Sequence, residues 1–326
     1  MRIVSGIQPS GKIHLGNYLG AIKNWLSLQK ENECFFFLAD LHALTLPQNP
    51  QILKENIFQT LATLLACGLS PEKNIIYLQS EIEETTELCW ILSSFCKIPE
   101  LQRMHHFKEK SKEKKEINMA LFNYPVLMAA DILIVKAEGV PVGEDQLQHL
   151  ELTRSLARRF NKKFGKIFPL PKALLTPSKK IYALDNPLKK MSKSAQSKYN
   201  YIALDDTPDE IYLKIKRAVT DPGKEIKYDP QKKPGISNLL LIFSEITEKE
   251  IKDIENEFQG KGYKEFKEKL AEVLIEKLKP LREKIEKLKK DKSYLKEVLE
   301  KGKEKAKKIT QDTLKEVKEK VGISII

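Results

Sequence analysis

The sequence predicts an α/β fold, a doubly wound parallel sheet, followed by an α-helical domain. Three observations carry that prediction. Short apolar runs alternate with amphipathic stretches through the first half, which is the pattern of parallel strands covered by helices on both faces. The alternation breaks near residues 181–187, where Tyr, Asp and Pro interrupt it. From about Gly262 onward nearly everything is amphipathic helix, with Lys and Glu on the exposed faces and Leu, Ile and Val on the buried ones. The expected division is residues 1–185 and residues 186–326, with the last helices able to pack back on the first domain.

Taken in order, "RIVSGI", "CFFFLAD" and "NIIYLQS" have the β-branched and aromatic content of buried strands and are bounded by turn residues. The stretches between them place apolar residues at helical spacing, as at Leu15, Leu19, Ile22 and Leu26. A further strand ends at Val140-Pro141-Val142, and residues 143–146 turn into another helix. In "DTPDEIYLKIKRAV", Thr207 is the expected N-cap, Pro208 the first helical residue, and Glu210 completes a capping box. Thr247 and Glu250 suggest a second box of the same kind. Ligands of such folds are expected at the carboxyl ends of the strands.

Composition limits the function classes. A hydrophobic fraction of 41% over 326 residues supplies a core and excludes a wholly disordered chain. Lys and Arg exceed Asp and Glu by 57 to 45, a formal charge of +12 that suits a polyanion such as nucleic acid. The four cysteines stand in apolar runs without zinc or disulfide spacing, so buried reduced thiols are expected, with no protein-ligated metal. The first residues fit neither a signal peptide nor a membrane span, so a cytoplasmic protein without membrane attachment is expected.

Four segments carry chemistry. In "SGIQPSGKIHLGN" a strand gives way to a Pro/Gly loop, and His14-Leu15-Gly16-Asn17 opens a helix whose free N–H groups suit phosphate. An ordinary strand-to-helix turn would look much the same. "LKKMSKSAQSK" is either a solvated loop or a phosphate-handling one. In "VPVGEDQLQHL", Glu144 and Asp145 can cap a helix or accept from sugar hydroxyls. In "YPVLMAADILIV", Asp131 is an ionisable group inside an apolar run and needs a partner, either within the protein or on a ligand.

"HLGN" resembles the HIGH signature of the class I aminoacyl-tRNA synthetases, and "KMSKS" at residues 190–194 matches the second signature of that class in full. "SGIQPSG", "LMAADIL", "MHHFKEKS", "GEDQ" and "TDPGKEIKYDPQKKPGISNLL" narrow the resemblance to the bacterial tryptophanyl family, from the first residues to the last helices. That resemblance implies a Rossmann-like catalytic domain and a helical domain that carries the KMSKS loop and reads the tRNA anticodon. It also implies tryptophan activation with Mg-ATP, then transfer to the 3' end of tRNA(Trp), in a homodimer. Lys190, Lys193, His14 and Asn17 would be catalytic. ATP would meet Gln8, Pro9, Ser10, Gly16 and Asn17 from the first loop, then Gly143, Glu144 and Asp145. It would also meet Ile181 and Lys190, Met191, Ser192, Lys193 and Ser194, with Lys110 assisting at the pyrophosphate. Tryptophan would meet Asp131, Tyr124, Met128 and Gln146, with Asp131 accepting from the indole N–H. Departures from the family pattern are Val4, where a larger aromatic is common, and His105, His106 and Ala195. A tyrosine-specific synthetase, a nucleotidylyltransferase and an inactive RNA-binding relative remain as alternatives.

Overall fold

The computed structural model describes residues 1–105, 107–108, 117–175, 180–193 and 197–324. Ser194, Lys110, His106 and Ala195 lie outside the described residues.

Five parallel strands form one sheet: β1 (Arg2–Ile7), β2 (Glu33–Leu38), β3 (Ile75–Leu78), β4 (Gly139–Val142) and β5 (Lys172–Leu175), in the order β3-β2-β1-β4-β5. β5, "KALL", is an addition to the sequence reading. The chain winds from β1 out to β3, then returns to start again at β4, so the order reverses between β1 and β4. Crevices at such reversals, beyond the carboxyl ends of the strands, are where these folds bind ligands.

Side chains alternate across the sheet and feed two cores. Ile3, Cys34, Phe36, Leu38 and Ile76 join one, together with Leu15, Ile22 and Trp25. Val4, Phe35, Phe37 and Tyr77 join the other, with the helices Glu83–Ser93, Met119–Ile134 and Leu147–Phe164. The first core continues without interruption into Ile202, Leu204, Ile236 and Leu274, so the helical half is built onto the sheet.

The capping box at Thr207, Pro208 and Glu210 forms as expected. The second does not. Thr247 is the last residue of the helix Pro234–Thr247, Glu248 closes it in the left-handed conformation, and the next helix starts from Glu250. Thr247 bonds back to the Phe243 carbonyl (2.8 Å), so its hydroxyl belongs to the helix before it. All four cysteines are free, two of them buried and two half-buried, and burial raises each thiol pKa. Among the described residues no helix is long and apolar enough to cross a membrane.

The last helix, Lys292–Val321, runs across β3 and covers the exposed edge of the sheet. Its Leu295 and Val298 enter one core and its Ala306, Leu314 and Val317 the other. The crossing point is Gly302, where a Cβ would collide with the backbone carbonyl of Ile76. Helix propensity alone favours Ala over Gly by about 1 kcal/mol. The collision acts in the opposite direction, since overpacking costs about 1–3 kcal/mol. Gly302→Ala is therefore expected to lower stability in a denaturant melt; a rise would show that the helix is not seated on β3.

Candidate functional site

Most of the described residues singled out in the sequence gather beyond the carboxyl ends of β1, β2, β3 and β4. After β1 the loop of residues 8–12 leads to His14, which caps the helical turn Leu15–Asn17. The Asn17 backbone N–H donates to His14 Nδ1 (3.3 Å), and the His14 N–H donates to Asn17 Oδ1 (3.3 Å). Burial, with the positive charges of Lys193 and Lys190, pushes the His14 pKa down to about 3. The ring is thus neutral near pH 7, and with Nδ1 accepting, Nε2 carries the proton as a donor.

The residues 190–193 lie over this turn. Lys193 Nζ donates to the Gln8 carbonyl (3.2 Å), and burial lowers its pKa to about 8. Gly11 has a positive φ of 145°, and a Cβ there would touch Lys193. Gly16 stands between the His14 ring and Met191, which is buried. Pro9 is buried too, Ser10 half-buried and Gln8 exposed. The two signature segments, far apart in sequence, therefore touch.

Met191 and Ile181 are held side by side. The Met191 N–H donates to the Ile181 carbonyl (3.2 Å), and the Ala183 N–H to the Lys189 carbonyl (2.8 Å). Asn238 fastens this pair from the helix Pro234–Thr247, accepting from the Tyr182 N–H (2.9 Å) and donating to its carbonyl (3.0 Å). Gly143–Gln146 follow β4, and Glu144–Gln146 form a single 3-10 turn. Any side chain at Gly143 would strike the Asp145 carboxylate, which lies 3.8 Å from Lys190 Nζ. Both partners are exposed, so that pair contributes little by itself. Ser192 is half-buried, and its N–H donates to Asn200 Oδ1 (3.1 Å).

Asp131 has its internal partners. It is 3% exposed on the helix Met119–Ile134; His42 Nε2 lies 2.8 Å from its Oδ2 and Gln79 Nε2 donates to its Oδ1 (2.7 Å). Burial raises its pKa against the pull of both partners. Among the described residues each oxygen has one such partner, whereas a carboxylate can accept at about four positions. Tyr124, Met128 and Asp131 share one helix face at i, i+4 and i+7. Tyr124 edges the His42 ring (centroids 6.3 Å apart), and its hydroxyl meets His149 Nε2 at 2.7 Å. Gln146 stands three residues before His149, at the start of the helix Leu147–Phe164. The sequence reading missed His42, Gln79, His149, Asn200 and Asn238; "ADLHAL" directly after β2 was the one available signal, a polar pair at a strand end.

The model of the tRNA synthetases class I (W and Y) family matches residues 1–279. The tryptophan–tRNA ligase of Caldanaerobacter subterraneus subsp. tengcongensis is 48% identical over 323 residues, covering 99% of this chain and 98% of that relative. The crystal structure of tryptophanyl-tRNA synthetase from Mycoplasma pneumoniae superposes with a TM-score of 0.90 at 36% identity, covering 99% of this chain and 98% of the other. The Campylobacter jejuni enzyme, complexed with ADP and tryptophan, gives 0.87 at 37% identity, covering 99% and 100%.

Proposed function

The chain belongs to the class I tRNA synthetases of the W and Y family, and from that premise we infer that it is a tryptophan–tRNA ligase. The tryptophan carboxylate attacks the α-phosphate of Mg-ATP, giving tryptophanyl-adenylate and pyrophosphate. A terminal ribose hydroxyl of tRNA(Trp) then takes the acyl group and AMP leaves. No covalent protein nucleophile is required; positioning and positive charge carry phosphoryl transfer.

The choice of tryptophan over tyrosine rests on the full-length likeness to a tryptophan–tRNA ligase at 48% identity. The observation at the site that supports an aromatic donor is Asp131, a buried carboxylate fixed by His42 and Gln79 at the strand ends. The indole N–H is a donor only. A pocket that presents this acceptor penalises side chains with nothing to donate. Tyr124, Met128 and Gln146 line the same pocket. Lys193, and more weakly the exposed Lys190, stabilise charge on the departing pyrophosphate. The helix start at His14–Asn17, with Gln8, Pro9, Ser10 and Gly16, cradles phosphate. Glu144 and Asp145 accept from the ribose beside Gly143, and Ile181 and Met191 receive the adenine, with Ser192 shaping the loop. Mg2+ arrives with ATP as part of the substrate.

Residues 1–185 act as the catalytic unit and residues 186–326 carry the KMSKS segment and the anticodon-binding surface. The helix Met119–Ile134 packs against both Glu83–Ser93 and Ile98–Gln102, and the three expose Trp90 (80%), Ile98 (64%) and Met119 (73%). Exposed apolar side chains of this size are in keeping with a homodimer. The enzyme works in the cytoplasm, where tRNA is charged.

Exchange of labelled pyrophosphate into ATP tests the reading. Exchange is expected with tryptophan and not with tyrosine. Dependence on tyrosine would move the protein to the sister specificity, and no exchange with any amino acid would favour a binding-only protein.

A further inference from the structure

One short segment holds both signature motifs at once. Residues 202–204, fully buried, pair antiparallel with the start of the first motif: the Leu15 N–H donates to the Ile202 carbonyl (3.0 Å) and the Leu204 N–H to the Ile13 carbonyl (3.0 Å). Tyr201 lies against the His14 ring, with centroids 5.5 Å apart. The far end is anchored by Asp206, which accepts from the Ala203 N–H (2.8 Å) and the buried Lys214 ammonium, while Arg282 donates to its carbonyl (3.1 Å).

The near end is Asn200, itself buried, and it faces the second motif. Its Oδ1 accepts from the Ser192 N–H (3.1 Å), its Nδ2 donates to Asp185 Oδ1 (2.8 Å), and its carbonyl accepts from the Leu184 N–H (2.9 Å). Ser192 is adjacent in sequence to Lys193, whose ammonium reaches the Gln8 carbonyl across the first loop. The Ser192–Asn200 bond therefore ties the segment that bears Lys193 to the same segment that aligns His14. We propose that residues 200–206 act as a clasp and that Asn200 is a positioning residue, fixing the Lys190–Lys193 segment relative to the His14–Asn17 turn through the Ser192 backbone. The inference rests on the reading of the site as an ATP-activating one.

Asn200→Ala leaves the Ser192 N–H and the Asp185 carboxylate without these partners, and the loop gains freedom where small misplacements are costly, about 10²-fold for 1 Å. Tryptophan-dependent exchange is expected to fall about 10- to 100-fold in kcat, with KM for ATP raised and KM for tryptophan unchanged. Asn200→Asp alone sets two carboxylates face to face and is expected to be impaired. Combined with Asp185→Asn it restores the bond pattern with donor and acceptor exchanged, and activity should return. The proposal is overturned by a folded Asn200→Ala protein with unaltered exchange, by a parallel rise in KM for tryptophan, or by no recovery in the exchanged pair. If the alanine variant does not fold, the aspartate variant with and without Asp185→Asn decides alone. Exchange absent from the unmodified protein would overturn the functional reading and the clasp together, whereas normal exchange with a silent Asn200 overturns the clasp only.

Discussion

Lys193→Ala is expected to slow tryptophan-dependent pyrophosphate exchange by about 10²–10³-fold in kcat, the usual cost of removing one preorganised charge or donor aimed at a developing anion. The ammonium rests on the Gln8 carbonyl at 3.2 Å, within the loop that leads to the phosphate-suited helix start. If it stabilises charge that grows as pyrophosphate leaves, as proposed, the loss should fall on kcat and kcat/KM together, with KM for tryptophan unchanged. Lys190, exposed and 3.8 Å from Asp145, is expected to matter less in the same assay. Burial lowers the Lys193 pKa to about 8, so the charged form dominates at pH 7 and is lost as pH rises through that value. The kcat/KM for ATP, which reports the free enzyme, should therefore decline on the alkaline side of about pH 8. Lys193→Arg keeps its charge throughout and should abolish that decline even where it lowers the rate. A loss below threefold for Lys193→Ala, or an alkaline limb that survives Lys193→Arg, would remove Lys193 from the catalytic set.

The sequence disclosed what is local and hid what is distant. β1, β2 and β3 were legible because Phe, Ile and Val runs lie between turn residues, and the burial of both sheet faces makes those runs continuous. β5 was not legible: four residues at the sheet edge, "KALL", carry no β-branched side chain and are exposed at both ends. The pattern Thr-x-x-Glu gave a true capping box at Thr207 and a false one at Thr247, because that pattern does not register where the preceding helix stops. At the site, Asp131 and Lys193 stood out as a charge in an apolar run and as part of a signature motif. Their supports did not. His42 and Gln79 reach Asp131 across 89 and 52 residues, and Asn238 reaches Tyr182 across 56. An Asn or His in a sequence says that a hydrogen bond will be made without saying with what.

Asp131→Asn is expected to raise the KM for tryptophan by about 10- to 100-fold, the worth of a hydrogen bond to a charged group, about 1.5–3 kcal/mol. Two distinct losses contribute. The amide offers a single oxygen where the carboxylate had two, so one of the donors from His42 and Gln79 then faces an NH2 group. The acceptor proposed for the indole N–H is weakened as well. Affinity alone cannot separate them, but a tryptophan analogue whose indole nitrogen is replaced by sulfur can, because it keeps the ring shape and lacks the donor. If Asp131 meets the indole, the unmodified enzyme should lose most of its affinity for the analogue. The Asp131→Asn enzyme, already without that bond, should lose little more, so the two changes are non-additive in a double-mutant cycle. KM for ATP should stay level in all four combinations, since Asp131 is proposed to meet tryptophan and not the nucleotide. Additive losses would mean that Asp131 acts only through His42 and Gln79, holding the ends of β2 and β3 in place, and that the indole is recognised by another group. An unchanged tryptophan KM in Asp131→Asn would exclude both roles.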